Sequence, residues 1–168
     1  MPLSMHQASV PLFVRQLGVL STLLTKGEAF AEGGAIAASA LIDARLAPDM
    51  HPLSRQVQIA SDAAKGACAR LADVEVPSFA DTESSFAQLR DRVAKTIGFV
   101  EGIAAERFDG SETRIITLKA GASEFRFAGQ AFLLHFALPN FFFHVTTAYA
   151  ILRHNGVPLG KLDYLGGI

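Results

Sequence analysis

The stretch Pro139-Asn140-Phe141-Phe142-Phe143-His144-Val145-Thr146-Thr147-Ala148-Tyr149-Ala150-Ile151-Leu152-Arg153-His154-Asn155-Gly156 decides the fold. Phe141, Val145, Ala148 and Leu152 recur at steps of four, three and four, which puts them on one stripe of an α-helix. Asn155-Gly156 supplies a stop and Pro158 prevents continuation. Asn140 and His144 stand four residues apart, on an edge shared with Thr147 and Ile151 and angled away from the apolar stripe. A helical bundle uses that spacing to aim two side chains at one interior point. The segment therefore reads as the last helix of a bundle with polar groups facing a cleft.

Working backwards, Val10, Phe13, Leu17, Leu20 and Leu24 repeat the alternation and predict a first helix over residues 3–25. Gly27 and Gly33-Gly34 break it, and the alanine-rich run from Ala35 to Leu46 predicts a short connecting helix ended by Pro48. Pro52 opens a second helix reaching Ala72, with Leu53, Val57, Ala60, Ala64, Ala67 and Leu71 on its stripe. Its small residues, Gly66 and Cys68 among them, mark a face that a neighbouring backbone approaches closely. Pro77 signals a turn and Asp81 an N-cap before a third helix carrying Phe86, Leu89, Val93, Val100 and Ile103.

Between the third and fourth helices the period changes. Arg114 to Lys119 and Glu124 to Phe127 are β-prone runs that predict a small crossover hairpin, pinned to the bundle by Phe125 and Phe127. Gln130 to Leu138 reads either as part of the fourth helix or as an extended lead-in, with a start near Pro139 favoured, and the glycine-rich tail from Val157 to Ile168 is expected to lie across the bundle's end. No repeat or linker divides the chain, so residues 1–168 read as one all-α four-helix bundle domain with a crossover connection.

At 168 residues the chain is long enough to bury roughly 70% of its unfolded surface. Charged residues make up only 18%, against about 25% in a typical soluble domain, so some apolar surface is expected to meet a second subunit. A net charge of -1 with mixed signs offers no footprint for nucleic acid or an anionic membrane. The lone Cys68 excludes an internal disulfide and fits a reducing, cytoplasmic compartment. No export signal stands at the start, and no apolar run approaches the roughly 18 to 20 residues that span a bilayer. The dinucleotide fingerprint, the phosphate loop and the nucleophile elbow are missing as well.

Polar residues on the helices narrow the site. Gln58, Asp62 and Lys65 share a face of the second helix, where a carboxylate beside an ammonium can enter the bundle near His144. His144 itself fits two roles, a metal ligand assisted by other helices or a partly buried imidazole hydrogen-bonded to a neighbour. His51, just before Pro52, either caps the second helix or leans into a cleft at the bundle's end. His135 and His154 read as structural. Consecutive Phe141, Phe142 and Phe143 point about 100° apart, so at least one leaves the core for a second surface.

With Asp49-Met50, Gln56-Val57-Gln58 and the long run from Pro139 through Lys161 in view, the whole chain resembles a bacterial family of uncharacterised proteins grouped with the DinB/YfiT-like metalloenzymes. That resemblance implies a four-helix bundle with one crossover connection, often dimeric. In the wider superfamily a divalent metal sits on one His of the second helix and a His-x-x-x-His pair of the last. Aligned on the closing Leu152-Arg153-His154-Asn155-Gly156, the second member of that pair is His144 and the first is Asn140, while the second helix offers His51 at its start and glutamines at 56 and 58.

Two functions follow. The favoured one is a bundle that binds a small molecule or partner in an inter-helix cleft, with Gln58, Asp62, Asn140 and His144 as its polar groups and a degenerate metal site. The alternative is a zinc- or nickel-dependent enzyme of thiol-transferase or hydrolase type, with His144, Asn140 and His51 as ligands. A homodimer burying part of the Phe141–Phe143 surface is expected in either case. Light scattering at micromolar concentration should return twice the chain mass; a monomer would count against that expectation.

Overall fold

A computed structural model describes residues 3–167; Met1, Pro2 and Ile168 lie outside the described residues. Helix α1 covers Val10–Glu32, α2 Ala38–Ile42, α3 Leu53–Ala72 and α4 Phe86–Glu101. A 3-10 turn at Ala105–Phe108 leads into antiparallel strands β1, Ile115–Ala120, and β2, Ser123–Ala128. Helix α5, Gly129–Phe132, a π turn at Leu133–Ala137 and α6, Leu138–His154, then follow without a break, and α7 spans Lys161–Leu165. Helices α1, α3, α4 and α6 form the bundle, and the hairpin sits in the α4-to-α6 connection.

The predicted stripes meet in one core. Phe13, Leu17, Leu20 and Leu24 of α1 are fully buried with Phe141, Val145, Ala148 and Leu152 of α6, and Phe13 meets Phe141 edge to face at 4.9 Å. Between them the α3 stripe of Ala60, Ala64, Ala67 and Cys68 contributes little volume, so α4 and α6 both pack closely on this helix. Of the three consecutive phenylalanines, Phe141 is core, Phe142 half-buried and Phe143 55% exposed.

Several boundaries differ from the sequence reading. Helix α1 starts at Val10 and continues past Gly27 to Glu32, because Gly27 faces the core: a Cβ there would stand 2.9 Å from Leu152 Cδ2 and 3.1 Å from the Phe86 ring. The glycine is a contact point between helices rather than a breaker. The connecting helix α2 is only five residues long. Helix α4 is capped by Ser85, whose Oγ accepts from the Gln88 amide at 3.2 Å, while Asp81 is drawn away to Arg92 at 3.0 Å. The tail forms α7 and lies along α1, tied by Arg15 to the Leu165 carbonyl (2.8 Å) and by Lys26 to Asp163 (2.6 Å), instead of crossing the bundle's end.

The last helix begins ten residues before the expected start. Pro139 has no amide hydrogen to donate back, and its ring would crowd the carbonyl four residues earlier. The wide turn just before it absorbs both problems, with the Leu138 amide reaching Leu133 O, five residues back. The continuous helix Gly129–His154 is 26 residues long and, by length and composition alone, apolar enough to cross a membrane, a run the sequence reading did not find. In the fold its apolar stripe serves the bundle core.

The hairpin turns at Gly121, whose φ of 59° is the left-handed value required at the first central position of a tight primed turn. Ile116 pairs with Phe127 and Leu118 with Phe125, so these four share the face turned towards α3 and α5. Phe127 pins the hairpin, with its ring 6.2 Å from Phe132 and 5.9 Å from Phe136, whereas Phe125 is 50% exposed. The strand-to-helix junction rests on Gly129, where a Cβ would overlap the Ser111 carbonyl oxygen and lie 3.2 Å from Leu71 Cδ2. Gly129→Ala should therefore cost about 3 kcal/mol, at the top of the range for overpacking. Urea denaturation checks this, and an unchanged midpoint would refute the contact.

Candidate functional site

Helices α3 and α6 run side by side, and their polar residues fall into three groups along the seam. The first is a chain of two hydrogen bonds. Gln56 Nε2 donates to the His51 carbonyl at 3.0 Å, which turns Gln56 Oε1 towards His144 Nδ1 at 2.7 Å. An amide oxygen only accepts, so Nδ1 carries the hydrogen and Nε2 is left as the unprotonated nitrogen of a neutral ring. His144 is only 9% exposed, and burial, then the charges of His51 and Arg55, hold its pKa below the ordinary histidine value. His51 enters this chain through its backbone; its side chain is exposed.

The second group surrounds Arg92 of α4, whose side chain is 1% exposed. Its Nη2 meets Asp62 at 2.8 Å and Asp81 at 3.0 Å, and Nη1 meets Glu83 at 3.0 Å and the Ala80 carbonyl at 3.1 Å. Lys65 joins Asp62 at 3.0 Å, Gln58 Nε2 donates to Glu83 at 2.9 Å, and Arg55 pairs with Asp81. Burial pulls the Glu83 carboxyl up, but Arg92, its own backbone and Gln58 outweigh that and hold it below the carboxylate range. Burial likewise opposes the Arg92 charge, and its three carboxylates reverse the effect and raise its pKa. This network clamps the segment between α3 and α4 onto α3.

The third group lines a cavity of about 500 Å³ between α3, the π turn, the start of α6 and the hairpin. Its walls are apolar, with Phe125, Phe127, Phe132 and Phe136 as the large surfaces; Phe132 and Phe136 stack at 6.0 Å and Phe136 remains 42% exposed. Asp62, Arg70, Lys119 and Asn140 are the polar residues on its wall. Burial alone acts on the Arg70 guanidinium and lowers its pKa, and it makes no hydrogen bond or ion pair among the described residues.

The predicted site residues are thus only partly brought together. Asp62 and Asn140 share the cavity, Gln58 is committed to Glu83 and Arg55, and His144 is committed to Gln56. Arg70 and Arg92, and the four phenylalanines as one wall, were not singled out as a site in the sequence. Phe132 and Phe136 at i and i+4 gave a usable signal, but only for a chain known to be helical before Pro139. Cys68 is fully buried and its thiol is pushed up to about 12, in keeping with a core residue.

A divalent metal fits these residues poorly. Among the described residues no group of three or more His, Cys, Asp or Glu side chains converges. His144 faces an amide, Gln56, whose oxygen already accepts a hydrogen bond, and the residue one turn before it on α6, Asn140, is an amide as well. Zinc and nickel favour imidazole and thiolate over neutral amides.

The His144 pair predicts a pH effect with a definite sign. Its pKa is lower in the folded than in the unfolded chain, so the stability it contributes is complete above about 6.5 and lost as pH falls through the folded value. His144→Ala should cost about 1 to 3 kcal/mol at pH 7.5, because Gln56 is left without its partner. The stability difference from wild type should shrink on acidification below 6.5, before carboxylates titrate. Denaturation at several pH values tests both, and a constant difference would refute the neutral-imidazole assignment.

Comparison with known proteins agrees with this architecture. A family profile described as Domain of unknown function (DUF1993) matches residues 5–165. The crystal structure of a DinB family member protein from Shewanella denitrificans is similar with a TM-score of 0.89 at 38% identity, covering 98% of this chain and 93% of that one. No curated protein matches. With a match along nearly its whole length and the bundle, crossover hairpin and closing helix in place, the chain belongs to the DUF1993 family and has the DinB-like fold.

Proposed function

We propose that this protein binds a small, largely apolar molecule in the cavity between α3, α6 and the hairpin. The observation that carries this reading is the cavity itself: about 500 Å³, walled by aromatic side chains, two of which keep 50% and 42% of their surface open. Its volume lies within the roughly 300 to 1,000 Å³ of small-molecule pockets, and a few convergent polar groups in an apolar wall are their usual composition. Asn140 and Asp62 are the groups that orient the ligand. His144 and Gln58 act behind them, His144 by joining α6 to α3 and Gln58 by holding the α3–α4 segment.

The reading of a zinc- or nickel-dependent enzyme draws no support from the donor set. On elemental analysis, protein incubated with either metal and desalted should hold well under one equivalent, and Gln56→His with Asn140→His, which supplies two further imidazoles, should raise that content. Stoichiometric metal in the wild type, lost in His144→Ala, would restore the enzyme reading.

The cavity reading is tested with a neutral aromatic probe, 1-naphthaleneacetamide, by methyl NMR. Its addition should shift the methyl resonances of Ala63, Ala67, Ala137 and Leu118, all on the cavity wall. Ala63→Phe, which fills the space from a half-buried position, should weaken the probe at least tenfold while leaving the fold intact. Shifts confined to other parts of the bundle would sink the proposal.

A further inference from the structure

Among the described residues, Arg70 is a cation of α3 whose position has no internal explanation. An arginine in the last turn of a helix ordinarily serves the free carbonyls there. In α3 those groups are served by others. Arg114 donates to the Leu71 carbonyl, Arg107 to the Asp73 carbonyl at 2.8 Å, and the Val74 amide to the Ala69 carbonyl at 2.9 Å. The Arg70 side chain instead folds back along the helix, so that its Nη1 lies only 2.5 Å from where a Cβ on Gly66 would be. Gly66 thus leaves a notch in α3, and the guanidinium occupies it at the cavity wall.

A half-buried guanidinium without a carboxylate is uncommon and costly. Arg92, on α4 and packed against α3, shows the contrast: three carboxylates surround it. Arg70 has apolar and aromatic surface beside it, five donors in a fixed fork, and no acceptor among the described residues. Lys119 lies at the same cavity but on the exposed hairpin, opposite Glu124 in the strand register, and so contributes less.

We propose that the ligand of this cavity is a compact apolar monocarboxylate, its carboxylate paired with the Arg70 guanidinium and its apolar body laid against the phenylalanine wall. This rests on the cavity reading above. A single guanidinium neutralises one charge and matches a carboxylate with two parallel hydrogen bonds. A dianion would keep a second charge in an apolar space that also holds Asp62. The Gly66 notch lies one helical turn from Asp62, roughly 5 to 6 Å along the axis, close enough for the Asp62 carboxylate to disfavour a ligand carrying a second negative charge.

The test compares 1-naphthaleneacetate with 1-naphthaleneacetamide by isothermal calorimetry at pH 7.5, in wild type, Arg70→Met and Gly66→Ala. The acid should bind wild type at least about tenfold tighter than the amide, the usual worth of a charge-assisted pair. Arg70→Met should bring the ratio near one with the amide's affinity unchanged, and Gly66→Ala, which keeps the charge but fills its notch, should lower the ratio without removing it. 1-Naphthyl phosphate should bind more weakly than the acid. Equal binding of acid and amide to wild type would overturn the carboxylate assignment and leave the cavity reading standing. Binding of neither probe would overturn both, and tighter binding of the phosphate would overturn the choice of carboxylate.

Discussion

The bundle depends on how closely its neighbours can approach α3. Ala60, Ala64, Ala67 and Cys68 are fully or almost fully buried and present almost no side-chain volume, so α6 and α4 come in against the helix. Larger residues at these positions would hold the helices apart, at a cost of about 1 to 3 kcal/mol each from overpacking. Close approach brings Gln56 within 2.7 Å of His144. The cavity lies beside the π turn that leads into α6. A wide turn before one proline thus stands next to an apolar recess.

The arginines on and against α3 differ in how far their charges are paired. Around Arg92 the charges close on themselves: Arg55, Lys65 and Arg92 are three positive groups, and Asp62, Asp81 and Glu83 three negative ones. Such a network holds a loop in place more than it adds net stability, because desolvation offsets most of the attraction. Arg70 is the incomplete case. Its surroundings supply the desolvation and none of the attraction, the condition under which an external anion gains most from binding. The His144–Gln56 pair lies between these extremes, with Nδ1 satisfied and Nε2 without a hydrogen-bond partner among the described residues.

Much of this fold was legible in the chain because its helices are amphipathic with regular spacing. The stripes of α1, α3, α4 and α6 are the buried residues observed, and the hairpin was marked by a change of period and a glycine at its turn. Errors arose where a residue's local preference was overridden. Gly27 reads as a breaker and is a helix contact; Pro139 reads as a start and sits inside a longer helix; Asp81 reads as a cap and serves a salt bridge. Each is a local signal that tertiary contacts outweighed, since propensity differences of about 1 kcal/mol are smaller than the packing or charge terms competing with them.

The sequence by itself determined the fold class, the four core stripes, the crossover hairpin and the resemblance that the family match bears out, because periodicity and turn chemistry are properties of neighbouring residues. It also placed Asn140 and His144 on one edge of the last helix. Only the tertiary structure decided that His144 faces Gln56, that Gln58 turns to Glu83, and that Asp62 and Asn140 share a cavity with Arg70 and the hairpin phenylalanines. Those contacts join residues up to 88 positions apart. Which of several partners a polar group takes is settled by helix rotation and the few ångströms separating helices, and no local pattern encodes either.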